Sequence, residues 1–585
     1  MSASERREGK TFSKVEGFKR SSRGLRGPIG AELSRPITAF TEEAALLLKH
    51  HGTYQQDNRD TRTERKMAGL GRDFCFMVRT KFPGGRLTAE QYLICDELAD
   101  RYGQGDLRVT SRQCFQLHGV LKKNLRALIH DLNHYANITS LGACGDVVRN
   151  VIASPVSDID PKCAAAGADL GILARRISDH FLPKTRGYYD LWIDDERVAV
   201  NADGTVDFLK EEAAEGEEDP LYGDRYLPRK FKIALALDFD NSVDVYGNDI
   251  AIIAVTEGGR LAGYEIAVGG GLGFTHRREA TYPRLATPLA FVQEEEILPL
   301  LEAIVRVQRD FGDRVNRRHA RMKYLIDDLG FDAFRARVFE YAGRSYLPPR
   351  EIKPTAQPDY LGWSKQLQAG LNYVGLWIEN GRIRDFPGSF QFKTGLRRIV
   401  EQFKPDLRLT PHHNVILVNI RDEDVAAIQT LLDEHRIPTD TGISTLRRME
   451  MACPALPSCG LALAEAERFL PDVVADLERA GHGDAELVLR MNGCPNNCAR
   501  SITAELGVIG SGSGRYTIYT GGGHTGARLG QTFLERVPAG EVSSILSGLL
   551  TAWKEERRSD ERFGDWSFRI GIDELKEKVQ RTVNG

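Results

Sequence analysis

The sequence predicts an α+β fold in which two related halves repeat about a pseudo-twofold axis, with three domains around a central cleft. Three observations lead there. The pentapeptide Asp106-Leu-Arg-Val-Thr110 returns as Asp406-Leu-Arg-Leu-Thr410, each time opening an alternating strand. The stretch Lys232 to Gly273 closes on a strand and a glycine cluster, and Leu487 to Gly530 carries the same sequel at Ile518-Tyr-Thr-Gly-Gly-Gly523. Strand and helix periodicities also alternate from about residue 66 to 140.

Composition narrows the class. A chain of 585 residues has room for about two to four domains. With 79 Lys and Arg against 82 Asp and Glu the net charge is −3, so nothing draws the whole molecule to nucleic acid. No run approaches the length of a membrane-spanning helix, and the first residues have no apolar core of a secretory signal. Nine cysteines, most of them isolated, argue against a disulfide framework and for a reducing compartment. A cytoplasmic enzyme with no membrane or nucleic-acid partner is the expectation.

Taken in order, residues 1 to about 30 are polar and basic, with Arg6, Arg7, Lys10, Lys14, Lys19, Arg20, Arg23 and Arg26 facing Glu5, Glu8 and Glu16. They read as a solvated arm, the alternatives being a contact for an acidic protein or a transit peptide. Phe74, Phe76 and Val78 alternate as a strand, and Thr88-Ala-Glu-Gln91 is a capping box opening a helix to about Tyr102. Asp106 to Gly119 reads as one strand with Arg108, Thr110, Arg112, Gln116 and His118 on a single face. So polar a row is costly to bury unpaired, so it faces either solvent or a polyanion. Arg149 stands alone in an apolar context, and Arg229 precedes Lys230 and Lys232, which share a face opposite Phe231. Adjacent ammonium groups repel, which places such a pair at a sheet edge or beside an anion. The first half carries Lys230 and Lys232 where the second carries the loop from Cys494 to Cys498.

Gly269 to Gly273 and Gly510 to Gly514 lack the following helix that a dinucleotide fingerprint needs. Thr287-Pro288 reads as the N-cap and first residue of a helix to about Phe311. A further helix begins near His319, bringing Arg321 and Lys323 to its start, and Leu461 to Ala480 reads as a helix interrupted at Pro471.

Cys453 and Cys459 are spaced C-x5-C, Cys494 and Cys498 C-x3-C. Four thiolates from two loops can hold a zinc ion or an iron–sulfur cluster. The wide first spacing and the prolines in both loops favour the cluster, without removing zinc. Cys75, Cys95, Cys114, Cys144 and Cys163 have no paired spacing and read as core residues.

These cysteines, together with His51-Gly-Thr-Tyr-Gln-Gln56, Met77-Val-Arg79, Thr110-Ser-Arg-Gln113, Gly145-Asp-Val-Val-Arg-Asn150 and Leu227-Pro-Arg-Lys-Phe-Lys232, resemble the siroheme-containing sulfite and nitrite reductases. The likeness runs in order from about residue 45 to the C-terminus and is nearest to the assimilatory sulfite reductases. It implies siroheme and a [4Fe–4S] cluster as cofactors, with Cys453, Cys459, Cys494 and Cys498 as cluster ligands and the sulfur of Cys498 bridging to the siroheme iron. It implies sulfite as substrate, held by Arg79, Arg149, Lys230 and Lys232, and reduced by six electrons to sulfide. Arg108, Arg112, Gln116, His118, Arg229, Arg321, Lys323 and Asn496 are the implied contacts to the macrocycle, whose eight carboxylates call for many fixed donors. The implied domains are 1–65 as an N-terminal extension, 66–141 with 352–440 as a ferredoxin-like pair, 142–351 for siroheme and substrate, and 441–585 for the cluster. No nicotinamide- or flavin-binding segment is legible, so an electron-donor protein is expected, ferredoxin ahead of a flavoprotein subunit. Nitrite reduction with the same cofactors is the alternative activity.

Overall fold

The structure, a computed structural model, describes residues 11–194, 198–200, 206–208 and 218–584. Its frame is four five-stranded sheets that fall into two matched pairs. The first sheet runs Thr53–Asp57, Phe74–Arg79, Phe115–Val120, Leu107–Val109 and Arg382–Ile383. The second repeats that order with Gly362–Lys365, Leu371–Leu376, Val415–Arg421, Asp406–Leu409 and Arg86–Leu87. Each half thus lends a two-residue edge strand to the sheet of the other, at Arg382↔Arg108 and Arg86↔Arg408. Both lent strands follow a tight 3-10 turn with left-handed residues, Gly84 and Gly85 in one, Asn380 and Gly381 in the other.

The third sheet runs Ile152–Ala153, Ile233–Leu237, Ile250–Glu257, Arg260–Val268 and Thr287–Val292. The fourth runs Met451–Ala452, Leu489–Asn492, Leu506–Gly512, Arg515–Thr520 and Gln531–Pro538. Both share one pairing pattern, two parallel contacts followed by two antiparallel ones. Ile233–Leu237 is buried at every residue, as suits an apolar central strand of a sheet covered on both faces. The helix Ala539–Glu556 buries Val542, Leu546, Leu549, Leu550 and Trp553 in the core of the fourth sheet. The two-half α+β reading holds, and the repeated pentapeptides occupy the same position in matched sheets.

Local expectations fare unevenly. The capping box is present: Gln91 N donates to Thr88 Oγ1 at 3.2 Å, Thr88 N donates to Gln91 Oε1 at 3.1 Å, and the helix spans Ala89–Tyr102. Asp106 to Gly119 is a hairpin, not one strand, with Arg108 opposite Gln116. Thr110 Oγ1 makes the turn by accepting from Arg112 N at 3.2 Å and Cys114 N at 3.3 Å, and Gln113 takes the left-handed conformation. Thr287-Pro288 lies in a strand; the helix begins at Glu294, capped by Gln293. Pro288 is tolerated because that strand is the sheet's edge. Pro471 sits in the first turn of Leu470–Leu477, where its missing N–H costs nothing, so it starts that helix. The matched topology also shifts one equivalence: Cys494–Cys498 follows the strand Leu489–Asn492, so its counterpart is the loop 238–249 after Ile233–Leu237, and Lys230 and Lys232 precede that strand.

The largest departure is at the N-terminus. Residues 1–10, with Glu5, Arg6, Arg7, Glu8 and Lys10, lie outside the described residues, but Lys14–Ser21 is a helix docked on the body. Glu16 and Lys19 are buried rather than solvated, and Arg26 nearly so. Lys19 Nζ meets Glu16 at 2.7 Å and Asp146 at 3.6 Å and donates to Leu227 O at 2.7 Å. The charges are buried because they are paired. Lys19→Met removes one member and leaves two carboxylates under-compensated, so it should lower stability by about 3 kcal/mol, read as a fall in melting temperature against wild type.

Candidate functional site

The cysteines sit on two loops at one end of the fourth sheet. Cys453 follows Met451–Ala452 directly, and its Sγ accepts from Gly493 N at 3.2 Å. Residue 493 must be glycine, because a Cβ there would lie 2.6 Å from both Ala455 Cβ and Ala464 O. Asn492 and Asn497 lace the second loop: Ala499 N donates to Asn492 Oδ1 at 2.8 Å, and Ile502 N to Asn497 Oδ1 at 3.1 Å. Arg59, which the sequence did not single out, clamps the first loop through Nη1 to Ala462 O at 2.5 Å and to Cys459 O at 3.3 Å.

Burial pushes the Cys453 thiol far up, and Cys498, Cys494 and Cys459 push it further; Cys494 rises to about 12. Thiols so placed need bound positive charge to exist as thiolates. Four cysteines carried by two neighbouring loops supply the all-sulfur donor set that an iron–sulfur cluster takes. Cys453 and Cys494 are buried, Cys459 is half-buried, and Cys498 is exposed.

Cys498 opens onto a small cleft lined by Arg112, Lys230, Lys232, Arg321 and Asn496 among others. The hairpin tip supplies Ser111, whose Oγ donates to Cys498 O at 2.9 Å. Arg112 beside it donates to Asn248 Oδ1 at 2.7 Å and Ile233 O at 3.0 Å, and its Nε has no partner. Lys230 is lowered to about 7 by burial first and then by Arg149, Arg321 and Arg229. Lys232 is pushed well below the ordinary lysine range by burial and by Lys230. Arg321 forks onto Asp249 at 2.8–3.1 Å, and Asp249 also accepts from Lys232 N at 2.8 Å. Lys323, also among the expected macrocycle contacts, donates instead to Gly271 O and Gly273 O at 2.9 Å each and to Tyr282 O, and so holds the glycine loop.

Arg79 lies within electrostatic reach of Cys498, and Arg149 adjoins Lys230. Arg149 Nε and Nη2 donate to Gly145 O at 3.2 and 3.1 Å, and Arg79 Nη1 donates to Cys144 Sγ at 3.2 Å, which makes Cys144 a site neighbour rather than plain core. Arg229 is lowered to about 10, by burial and then by Arg317. Strand register sets Arg79 opposite Gln116, Gln116 opposite Arg108 and Arg108 opposite Arg382, a polar row across the first sheet. Arg108 is already committed to Glu467 Oε2 at 3.0 Å and Ala452 O at 2.9 Å, so it braces the Cys453 segment. Gln116 Oε1, Arg79 Nε and both ring nitrogens of His118 are buried without partners. Native interiors leave few such atoms, and these mark a face built for a polar ligand, as a polycarboxylate macrocycle would be.

Asp244, which no sequence pattern singles out, joins the third and fourth sheets. Fully buried with φ +48°, it accepts from Arg490 Nη1 at 2.8 Å and Gln357 Nε2 at 2.8 Å, and pairs with Arg500 Nε at 2.7 Å. Burial opposes its ionisation, but Arg490 and Arg500 hold its carboxyl below the usual range.

Family models agree with this geometry. The nitrite and sulphite reductase 4Fe-4S domain matches residues 172–346 and 485–584, and the nitrite/sulfite reductase ferredoxin-like half domain matches 70–135 and 364–435. The chain is 41% identical over 565 residues to the sulfite reductase [NADPH] hemoprotein beta-component of Geobacillus kaustophilus, covering 96% of each. It is 42% identical over 576 residues to the sulfite reductase [ferredoxin] of Synechococcus elongatus, covering 97% of this chain and 90% of that one. The Mycobacterium tuberculosis NirA protein shares the fold, with a TM-score of 0.74 at 23% identity over 96% of both chains. The chain belongs to the nitrite and sulphite reductase family, among the sulfite reductase haemoproteins.

Asp244→Asn removes the countercharge from two buried arginines and should cost about 3–5 kcal/mol. The wild-type pair contributes fully above the ordinary carboxylate range of about 4 and is lost as pH falls through the lowered folded value. Acid-unfolding curves of wild type and variant should therefore converge at low pH and separate near neutrality.

Proposed function

We propose that this protein carries out the six-electron reduction of sulfite to sulfide, in sulfate assimilation, with siroheme and a [4Fe–4S] cluster. The observation that carries the reading is the exposed Cys498 on the same cleft as Arg112, Lys230, Lys232 and Arg321. Cys453, Cys459, Cys494 and Cys498 would hold the cluster, Cys498 would bridge it to the siroheme iron, and Arg112, Gln116, His118, Arg229, Arg321 and Asn496 would face the macrocycle. The cofactor pair, when bound, supplies electron storage and an iron to which sulfur can bind.

The chain's own residues then have distinct tasks. Sulfite is a small dianion; Arg79 and Arg149 offer it fixed positive charge that needs no reorganisation, and Lys230 and Lys232 add theirs as the dianion draws protons onto them. Three oxygens must leave as water, so protons must arrive at them. Arginine holds its proton too tightly to give it, whereas Lys230, lowered to about 7, has a proton to give at neutral pH. Its donating form is complete below that value and disappears as pH rises through it; a bound dianion moves the transition upward.

Lys230→Met should retain both cofactors and lose about 10²-fold or more in turnover. Lys230→Arg should bind sulfite yet remain slow, and the alkaline fall in kcat expected of wild type should be absent from both. Sulfite turnover like wild type in either variant would remove Lys230 from the mechanism. The purified protein should show a strong Soret-type band with labile sulfide; zinc without iron would overturn the reading altogether.

Nitrite is the second reading, since it uses the same cofactors and its name stands in the matched family models. Relative kcat/KM for the two anions with reduced methyl viologen decides between them, and the Lys230–Lys232 pair favours the dianion. Electrons would come from a separate protein. Ferredoxin is favoured over a flavoprotein subunit, and assay with reduced ferredoxin against NADPH plus a flavoprotein tests that preference.

A further inference from the structure

The four cations assigned to substrate do not exhaust the positive charge around Arg149. The turn between the helix Glu42–Leu47 and the strand Thr53–Asp57 carries Lys49, and it is pinned to both substrate arginines. Arg79 N donates to Gly52 O at 3.0 Å, and Gly142 N donates to His50 O at 2.8 Å. A Cβ on Gly145 would lie 2.8 Å from His50 Cα, so this glycine lets the turn rest directly on the loop whose carbonyl anchors Arg149. From that position Lys49 Nζ stands 5.9 Å from the centre of the Tyr54 ring. The Tyr54 phenol in turn lies within the electrostatic reach of Arg149 and Arg79.

Lys49 therefore projects into a group of like charges. Burial lowers its ammonium, and Arg317, Arg229 and Arg149 lower it further. Asp146, the acid among these neighbours, is already engaged by Arg317 at 2.8 Å and Lys19 at 3.6 Å. Asp146 and the Tyr54 ring favour the Lys49 ammonium, but burial and three arginines outweigh them, and an anion entering the group would relieve that imbalance. The Tyr54 ring beside it offers a flat wall that leads from Lys49 to Arg149.

We propose that Lys49 is a positioning residue for the anionic substrate, drawing sulfite along the Tyr54 wall to Arg149 and Lys230 without touching it during reduction. The inference rests on the functional reading above. It predicts a specific split: Lys49 acts on capture of the dianion and leaves the chemical steps alone.

The test uses purified holoenzyme, reduced methyl viologen as donor and sulfite as substrate, with siroheme and labile sulfide measured on every sample. Lys49→Met should raise KM for sulfite about tenfold with kcat within about twofold of wild type and cofactor content unchanged. The ionic-strength dependence of kcat/KM should flatten in Lys49→Met, and Lys49→Arg should restore both KM and the salt response. An unchanged KM at full cofactor content overturns the proposal. So does loss of siroheme, which would make Lys49 a cofactor anchor, and so does a fall in kcat at constant KM, which would make it a proton donor. Wild-type enzyme inactive on sulfite would overturn the functional reading and this inference with it, whereas active wild type with an unaltered Lys49→Met overturns this inference alone.

Discussion

The contact on which the site depends is the buried carboxylate of Asp244 between the guanidinium groups of Arg490 and Arg500. Asp244 lies in the loop that follows the second strand of the third sheet, and Arg500 lies in the corresponding loop of the fourth. The pseudo-symmetric loops therefore meet one another and are tied there by opposite charge. One carries on to Asn248 and Asp249, which orient Arg112 and Arg321; the other carries Cys494 and Cys498. Any slippage between the two sheets would separate the cysteines from the cations, and the ion pair is the fixed point that prevents it. Asn497 Nδ2 to Leu272 O and Phe274 N to Pro495 O, at 3.3 and 3.1 Å, reinforce the same seam.

Around this seam the protein accepts local instability. Lys230 and Lys232 crowd arginines, Gln116 and His118 keep polar atoms unpartnered, and the cysteines raise one another's thiols. Each is unfavourable in the protein alone, and on the function proposed above a polycarboxylate, a dianion and a metal cluster would offset them. The compensation sits elsewhere, in opposite-charge pairings such as Lys19 with Glu16 and Asp146, and Arg108 and Arg382 with Glu467, whose carboxyl is held at about 2 by those arginines against the opposing effect of burial. The molecule separates charges that hold it together from charges that wait for a ligand.

Much of this was legible beforehand, for definite physical reasons. The repeated Asp-Leu-Arg pentapeptides report equivalent strands because a strand's period and its place in a sheet leave the same pattern twice. The cysteine spacings and the Lys230–Phe231–Lys232 alternation mark chemistry because such residues are costly anywhere else. What stayed hidden depends on distance along the chain. Thr110 turning Asp106–Gly119 into a hairpin is a side-chain bond invisible to periodicity, and Pro288 in an edge strand looks locally like a helix start. Asp244, Arg59 and Lys49 gain their meaning from partners hundreds of residues away or across a fold, so no window on the sequence could single them out. The N-terminal basic run looked solvated because its buried partners, Asp146 and Arg314 among them, lie far downstream.

The exchange of edge strands between the first two sheets has a consequence for how the molecule is made. Arg86–Leu87 completes a sheet whose other strands begin at Gly362, and Arg382–Ile383 completes one that begins at Thr53. On the ribosome, the early half therefore emerges with an open edge and a strand that has nothing to pair with until most of the chain has been synthesised. Contacts so remote in sequence form late and carry a large loop-closure cost. Closing them also brings the N-terminal row of arginines to the C-terminal cysteine loops. Birth of the fold and birth of the cofactor site are thus one event, and a ribosome that stops short releases a chain with neither.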